Sequence, residues 1–381
     1  MSKQSPLLEH LDAKLPEMLG ALKELVECES PSSDLPVLRN LATLLGDRFN
    51  QAGATVEFIP APDGIDRLLA TLEGVDRALA PALLIGHFDT VWPIGTLDRM
   101  PYREDETSVY GPGVYDMKSG IVMIEFAIRA IQSLGMRPPR SVQVLLTPDE
   151  EIGSRNSRHL IETFAKKSQY VLVMEPSLGR GLLKTARKGG SQYVVHVTGR
   201  AAHAGVEPEK GANAVVEMAH QVIAIERLAD IEKGTTVSPT VIEGGTVTNV
   251  IPESANLRID VRASTLPEAE RVDQAMKALS PRNPGCGISV AGGINRPPME
   301  RSSDGAALFE RARSIGADLG LDLCEGSTGG GSDGNFTAAI GAPTLDGLGA
   351  IGGGAHSVDE HIAKRSIVER TALLASILVS L

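Results

Sequence analysis

A histidine and an aspartate stand two positions apart at the end of a short apolar run. The run Leu83–Phe88 has the length and composition of a buried strand, and functional side chains often follow such strands. The imidazole of His87 would bind a metal ion, and the carboxylate of Asp89 would fix the tautomer and orientation of the ring. The alternative is a strand-end histidine that hydrogen-bonds its own neighbour.

Acidic residues recur beside later apolar runs. Asp116 lies in a glycine-rich turn before the apolar segment Ile121–Leu134, where it is either a helix N-cap or a carboxylate at the floor of a pocket. The run Val142–Leu146 leads to three consecutive acids, which repel one another and need either solvent or cations. Glu175 follows another run and precedes a proline, which favours an extended conformation. The collected candidates are His87, Asp89, Asp116, Glu150, Glu151, Glu175 and His356.

The candidates offer imidazole nitrogen and carboxylate oxygen but no thiolate. Such donors suit zinc, manganese or cobalt in a catalytic site rather than a structural one. Two histidines and several carboxylates are enough for two ions that share one bridging acid, an arrangement used for hydrolysis. The candidates spread from position 87 to position 356, so their spacing alone does not establish a site.

The composition argues against several classes of protein. The chain has 381 residues, 42% of them hydrophobic and 22% charged, which is typical of a globular protein with two or three domains. The net charge of -11 disfavours nucleic acid and anionic membranes as partners. No apolar run approaches the roughly 18 residues of a membrane span, and no signal peptide is recognisable. We therefore expect a cytoplasmic protein.

The elements that would position the candidates alternate between helices and strands. Helical periodicity covers Leu7–Val26 and Leu35–Ala52, and strand-like runs follow at Thr55–Ile59 and Arg67–Leu72. This order predicts an α/β domain with helices layered on a mixed central sheet.

From about Lys188 the pattern changes to strands of antiparallel type with two amphipathic helices, which predicts a small α+β insert. Pro297 follows the insert, and we expect a helix over Asp304–Leu319 and a strand near Leu321–Cys324 back in the larger domain. The predicted domains are residues 1–187 and 297–381, which together form the catalytic domain, and the inserted residues 188–296.

A series of segments resembles the motifs of the M20 metallopeptidases, in the same order. Within that family the likeness is to the glutamate carboxypeptidase (carboxypeptidase G2) branch, and it runs from about Leu83 to the C-terminus. The resemblance implies a zinc-exopeptidase type of catalytic domain, with the insert as a lid or dimerisation domain of a homodimer. The segments are GHFDTVWP, GPGVYDMKSG, TPDEEIGS, MEPS, GRAAHAGVEPEKGANA, TVTNVIP, DVRAS, STGGGSDGN and AHS.

By motif position, the resemblance implies a site for two Zn²⁺ ions, with Mn²⁺ or Co²⁺ as alternatives. Asp116 would bridge the two ions. His87 and Glu175 would complete the coordination of one ion, and Glu151 and His356 would complete that of the other.

The resemblance also implies roles around the metal ligands. Asp89 would orient His87. Glu150 would be the general base, which takes a proton from the metal-bridging water and passes it to the leaving amine. The peptide bond between Asp116 and Met117 is expected to be cis.

Four residues resemble positions that act on the substrate. His203 would stabilise the tetrahedral oxyanion from the partner subunit, although a turn or capping histidine is the alternative. Asn249 and Arg262 would recognise the substrate, since a guanidinium can grip a free α-carboxylate, whereas a surface arginine is the simpler interpretation. Gly330 and its neighbours would let the backbone approach the substrate. Arg296 is a weaker candidate of the same type as Arg262.

The resemblance implies a hydrolase that releases an amino acid with a free α-carboxylate from a small N-acyl or dipeptide-like substrate, with glutamate preferred. The sequence departs from the branch pattern at three basic residues, Lys184, Arg187 and Lys188. This departure argues against a glutamate preference. An N-acyl amino acid deacetylase of the acetylornithine type is the first alternative. A non-catalytic binding relative and an oligomerisation module with an inert site are the others.

Overall fold

The computed structural model describes residues 5–381, and these form two compact units. The first unit comprises the described residues up to Ala186 together with Arg301–Thr328 and Ser332–Leu381. The second unit comprises Arg187–Glu300 and the three glycines Gly329–Gly331. The chain therefore leaves the first unit, forms most of the second, and returns.

Helices and strands alternate along the described chain. The helices are α1 (Pro6–Glu27), α2 (Leu35–Gln51), α3 (Ser119–Ser133), α4 (Arg158–Ala165), α5 (Ala214–Glu226), α6 (Leu266–Lys277), α7 (Ser303–Asp318), α8 (Gly334–Ala339) and α9 (Lys364–Ser380). The strands are β1 (Thr55–Ile59), β2 (Arg67–Leu72), β3 (Ala82–His87), β4 (Arg103–Glu104), β5 (Ser108–Tyr110), β6 (Val142–Thr147), β7 (Tyr170–Val173), β8 (Leu183–Arg187), β9 (Gly189–Thr198), β10 (Thr236–Gly244), β11 (Ser254–Ala263), β12 (Gly287–Arg296), β13 (Glu325–Thr328), β14 (Thr344–Leu345), β15 (Gly352–Gly353) and β16 (His361–Ala363).

The central sheet of the first unit has the strand order β1-β2-β6-β3-β7-β14. Strands β3, β6, β7 and β14 are parallel, whereas β2 runs antiparallel to both of its neighbours, β1 and β6. The prediction of a mixed central sheet is confirmed. Every residue of β3 and β7 is buried, which explains why these strands are continuous apolar runs in the sequence.

Helices cover both faces of this sheet. Leu84 belongs to a core that includes residues of α1, α2, α3 and α9, whereas Leu83 and Ile85 belong to a core with residues of α4 and α8. Successive side chains of a strand point to opposite faces, so one strand serves both layers. The same unit holds an antiparallel sheet of order β15-β16-β5-β4.

The strand predicted near Leu321–Cys324 is wrong, because β13 begins only at Glu325. Gly320 has a φ of 77° and reverses the chain after α7. The N–H of Leu321 then donates to the carbonyl of Gly316 at 2.9 Å, and Leu323 packs against the same glycine. These apolar side chains therefore pack on the end of α7 instead of forming a strand.

The second unit is an antiparallel sheet of order β10-β11-β9-β12 with α5 and α6 packed on it. Buried and more exposed residues alternate along β9 and β11, which is the pattern of a sheet with one face in the core. Tyr193, Val195 and Val197 of β9 supply part of that core.

No helix within residues 5–381 combines the length and apolarity needed to cross a membrane.

Candidate metal centre

Three neighbouring parallel strands end at the candidate site. Strand β3 ends at His87, β6 leads to Glu150 and Glu151, and β7 leads to Glu175. Because the carboxyl ends of parallel strands meet at one edge of a sheet, these side chains converge there. Nε2 of His87 lies 3.4 Å from Oε1 of Glu175, and the histidine is 1% exposed.

Asp116 reaches the same point from an irregular turn, Val114–Lys118, that lies between β5 and α3. Its peptide bond to Met117 is cis, as the resemblance predicted. Oδ1 of Asp116 lies 3.2 Å from Nε2 of His87, and Oδ2 lies 3.6 Å from Nε2 of His356. The two oxygens of one carboxylate therefore face two different imidazoles, as a bridging ligand requires.

His356 lies on the loop between β15 and β16 and has a φ of 60°. Its Nε2 is 3.2 Å from Oε2 of Glu151. The ligand atoms of His87, Asp116 and Glu151 also lie within 4.8 Å of one another, as do those of His87, Glu150 and Glu175. The structure thus places Asp116 beside both histidines, with His87 also beside Glu175 and His356 also beside Glu151.

Asp89 connects two sides of this cluster. Its carboxylate accepts hydrogen bonds from the backbone N–H groups of Glu150 and Glu151, both at 3.2 Å, and from the hydroxyl of Ser32 at 2.6 Å. Oδ1 of Asp89 lies 3.3 Å from Nδ1 of His87. The buried Asp89 side chain therefore contacts His87 and also holds the turn that carries Glu150 and Glu151.

The ionisable groups of the cluster are strongly coupled to one another. Burial lowers the pKa of His87, but hydrogen bonds to carboxylates, first that of Asp116, outweigh it and raise the pKa well above 6.5. Hydrogen bonds to Asp116 and Glu151 raise the pKa of His356 to about 10. Burial raises the pKa of Glu151. Burial also acts to raise the pKa of Asp116, yet hydrogen bonds to both histidines hold it far below its usual value.

The donor set fits divalent cations. With every carboxyl ionised, five negative charges exceed the positive charge of two protonated imidazoles, and bound cations would offset the difference. Nitrogen and oxygen donors of this kind suit zinc, manganese or cobalt. The carboxylates are those of Asp89, Asp116, Glu150, Glu151 and Glu175.

The sequence matches a family model described as "Peptidase family M20/M25/M40" over residues 83–380. It is 32% identical to carboxypeptidase G2 of Pseudomonas sp. (strain RS-16), across 96% of this chain and 89% of that protein. The chain belongs to peptidase family M20/M25/M40. The predicted resemblance to the M20 metallopeptidases is therefore confirmed, and the protein is a hydrolase of a family that uses divalent metal ions.

Other members of the family are similar over nearly the whole chain. Succinyl-diaminopimelate desuccinylase of Dechloromonas aromatica (strain RCB) is 28% identical, across 95% of this chain and 98% of that protein. The crystal structure of aminopeptidase PepT from Bacillus cereus ATCC 10987 matches with a TM-score of 0.75 at 21% identity. That match covers 96% of this chain and 98% of the other, and it shows a shared fold.

The second unit of this M20 protein carries the residues predicted to act on the substrate. His203 and Asn249 lie on adjoining loops, since the N–H of Ala204 donates to the carbonyl of Asn249 at 2.9 Å. Nδ1 of His203 accepts the N–H of Gly205 at 3.1 Å. A neutral imidazole that accepts at Nδ1 carries its proton on Nε2, so the exposed ring has a donor to offer.

Arg262 lies at the end of β11, where Asp260 engages it. Nε and Nη2 of its guanidinium donate to the two carboxylate oxygens of Asp260 at 2.8 and 2.9 Å. One of the two bidentate faces of the guanidinium is thus paired within the chain. The carbonyl of Gly330 accepts a hydrogen bond from Nη1 of Arg187 at 3.0 Å, and Arg296 is 7% exposed at the end of β12.

Sequence reasoning missed a buried charge network behind the three consecutive acids. Asp149 does not lie in a solvated turn, because it is 3% exposed and accepts the hydroxyl of Ser157. The carboxylate of Asp149 is 3.3 Å from Nη2 of Arg67, and that arginine also binds Asp63 at 2.6 and 2.7 Å. The only signal in the sequence was the run of acids, and nothing in it distinguished Asp149 from its neighbours.

A second buried carboxylate was also missed. Glu360 follows His356 by four positions and is fully buried. It accepts hydrogen bonds from the turn that carries Asp116. Its position close to a predicted ligand was the only hint that the sequence offered.

Proposed function

We propose that this M20 protein is a two-metal amidohydrolase that releases an amino acid with a free α-carboxylate from an N-acyl or peptidyl group, with glutamate the preferred product. The observation that carries the proposal is the position of Asp116, whose two oxygens face His87 at 3.2 Å and His356 at 3.6 Å. Such a carboxylate is suited to bridge two cations.

The proposed ligands divide into two sets that share Asp116. His87 and Glu175 would hold one Zn²⁺, and Glu151 and His356 would hold the other, with Mn²⁺ or Co²⁺ as substitutes. Bound there, the cations would polarise the scissile carbonyl and lower the pKa of the attacking water.

Glu150 is the proposed general base. Its neighbour Glu151 faces His356, while a carboxylate oxygen of Glu150 lies within 4.8 Å of ligand atoms of His87 and Glu175. Its carboxylate would take a proton from the attacking water as the oxygen bonds to the carbonyl carbon. It would then pass that proton to the amide nitrogen, whose bond to carbon breaks. General base catalysis of this kind contributes about 10²- to 10⁴-fold to the rate.

Substrate recognition is assigned to the second unit. We propose that Nε2–H of His203 donates to the oxyanion of the tetrahedral intermediate, which the acceptor role of Nδ1 supports. We assign the α-carboxylate to the Nη1 and Nη2 side of Arg262, because Asp260 accepts the N–H of Nε and only one of the two N–H groups of Nη2. Asn249 and the backbone at Gly330 complete the proposed contacts.

A homodimer through the second unit belongs to the same proposal. Strand β10 is at the edge of its sheet and exposes Val241 and Ile242, which are 45% and 58% exposed. An unpaired strand edge with apolar side chains is a surface that a second copy would cover.

Release of free amino acids from a panel of N-acyl amino acids tests the function. The panel pairs benzoyl, succinyl and acetyl groups with glutamate, aspartate and leucine, before and after removal of metal by a chelator. The proposal predicts release that is sensitive to the chelator and greatest for glutamate with a bulky acyl group. Release of amino acids only from acetyl or succinyl substrates would favour the deacylase alternative. The similarity of the chain to a desuccinylase supports that alternative. No release from any member would favour a binding protein.

A further inference from the structure

Glu360 is a fully buried carboxylate in the first unit that lies outside the proposed ligand set. It directly precedes β16, which pairs antiparallel with β5 so that His361 stands opposite Tyr110. The pairing continues by one step, since the N–H of Gly111 donates to the carbonyl of Glu360 at 3.4 Å. This register directs Glu360 to the turn that follows β5.

The carboxylate of Glu360 accepts four hydrogen bonds from neutral N–H groups. Oε1 accepts the backbone N–H of Tyr115 at 2.9 Å and that of Asp116 at 3.1 Å. Oε2 accepts the backbone N–H of Gly113 at 2.9 Å and the indole N–H of Trp92 at 2.9 Å. Each oxygen therefore receives two donors, and these hydrogen bonds favour the ionised carboxylate against burial, which raises the pKa of Glu360.

The turn needs these acceptors because it is irregular. Gly113 has a φ of 71°, and Asp116 and Met117 have dihedral angles that do not belong to a helix. Backbone N–H groups in such a turn lack regular helical partners, and buried N–H groups without an acceptor are costly. Glu360 supplies the acceptors, and its own loop carries His356.

We propose that Glu360 is a positioning residue of the metal centre. It fixes the turn that carries Asp116 against the loop that carries His356, so that the Asp116 carboxylate faces both histidines. This inference rests on the proposed metal site. Partners that orient metal ligands typically contribute about 10- to 100-fold to metal affinity.

A purely structural role is the competing explanation, and the chain contains a matched control for it. Glu217 of the second unit is 1% exposed and accepts the backbone N–H groups of Arg282 and Asn283 at 3.1 and 2.8 Å. It also accepts the side-chain amide of Gln221 at 2.7 Å. Glu217→Gln therefore disturbs a similar buried carboxylate that holds a loop of the second unit, which contains none of the proposed metal ligands.

The experiment measures the Zn²⁺ affinity of chelator-stripped protein by competition with a chromophoric chelator. Glu360→Gln places an amide NH₂ against two donors and should weaken Zn²⁺ binding by about 10- to 100-fold. Excess Zn²⁺ should restore much of its turnover. Glu217→Gln should bind Zn²⁺ as the wild type does, even where its melting temperature falls. Wild-type affinity in Glu360→Gln would overturn the inference, as would equal losses in the two variants.

A second variant tests the inference if Glu360→Gln does not fold. Trp92→Phe removes one donor and leaves the carboxylate in place, so a smaller loss of Zn²⁺ affinity is expected. Unchanged affinity in Trp92→Phe would then contradict the inference. If the wild-type protein itself binds no Zn²⁺ tightly, it is the proposed function that fails, and the two failures are therefore distinguishable.

Discussion

Oδ1 of Asp89 accepts a hydrogen bond from the backbone N–H of Glu150 at 3.2 Å. Asp89 was expected to orient His87, and it lies 3.3 Å from that imidazole. The same carboxylate therefore contacts both a proposed metal ligand and the turn with the proposed general base. Hydrogen bonds from residues around a metal site hold the metal ligands in a fixed orientation.

Substitution of Glu150 should separate catalysis from metal binding. Glu150→Gln removes the proton acceptor but no proposed ligand, so turnover should fall by at least about 10²-fold while the metal content stays the same. The matched neighbour Glu151→Gln should instead lose bound metal. Metal analysis together with release kinetics checks both variants. Loss of metal in Glu150→Gln would identify that residue as a ligand.

His203→Ala should reduce kcat far more than it changes KM, because the proposed Nε2–H contact forms in the transition state. Steady-state kinetics on the preferred substrate measures the two constants. His220→Ala, another histidine of the second unit, is the control and should behave as the wild type. A large rise in KM with normal kcat would reassign His203 to substrate binding.

The stability of the metal-free protein should depend on pH through His356. Its pKa is raised from 6.5 to about 10 by Asp116 and Glu151, so the stabilising effect of its proton is complete below pH 6.5. The effect is lost as the pH rises towards 10. The melting temperature of chelator-stripped protein should therefore fall over this range, and less steeply in His356→Gln. Identical pH profiles for the two proteins would exclude the effect.

Arg67→Leu should destabilise the first unit by about 3–5 kcal/mol, because it leaves the buried carboxylate of Asp149 without its cation. Urea unfolding followed by the fluorescence of Trp92, the single tryptophan, reports on this unit. Adding Asp149→Asn should cost less than the sum of the two single changes. Additive losses would mean that the two residues do not interact.

The sequence predicted those parts of the site that follow from local patterns. His87, Glu150 and Glu175 each come after an apolar run, and parallel strands bring such positions together. Glu360 could not be predicted in this way, because three of the four N–H groups that it accepts belong to the backbone, 244 to 247 positions earlier in the chain. The residue types in a sequence do not reveal which backbone N–H groups need an acceptor.

Two further differences have physical causes of the same kind. The apolar residues after α7 resembled a strand, yet Gly320 reverses the chain and Leu323 packs on the helix. Motif position also did not reveal that the guanidinium of Arg262 pairs with Asp260 on the same strand. Periodicity and motif position do not report such competing partners. The roles of His203, Asn249, Arg262 and Gly330 stay predictions.

The number of zinc ions that chelator-stripped wild type and Asp116→Ala bind per chain tests whether Asp116 bridges two metal ions. Equilibrium dialysis followed by elemental analysis gives the number of ions. We expect two tightly bound Zn²⁺ per wild-type chain, and loss of both from Asp116→Ala, because Asp116 faces both histidines. One ion or none in the wild type, or two ions retained by Asp116→Ala, would contradict the proposed bridging role.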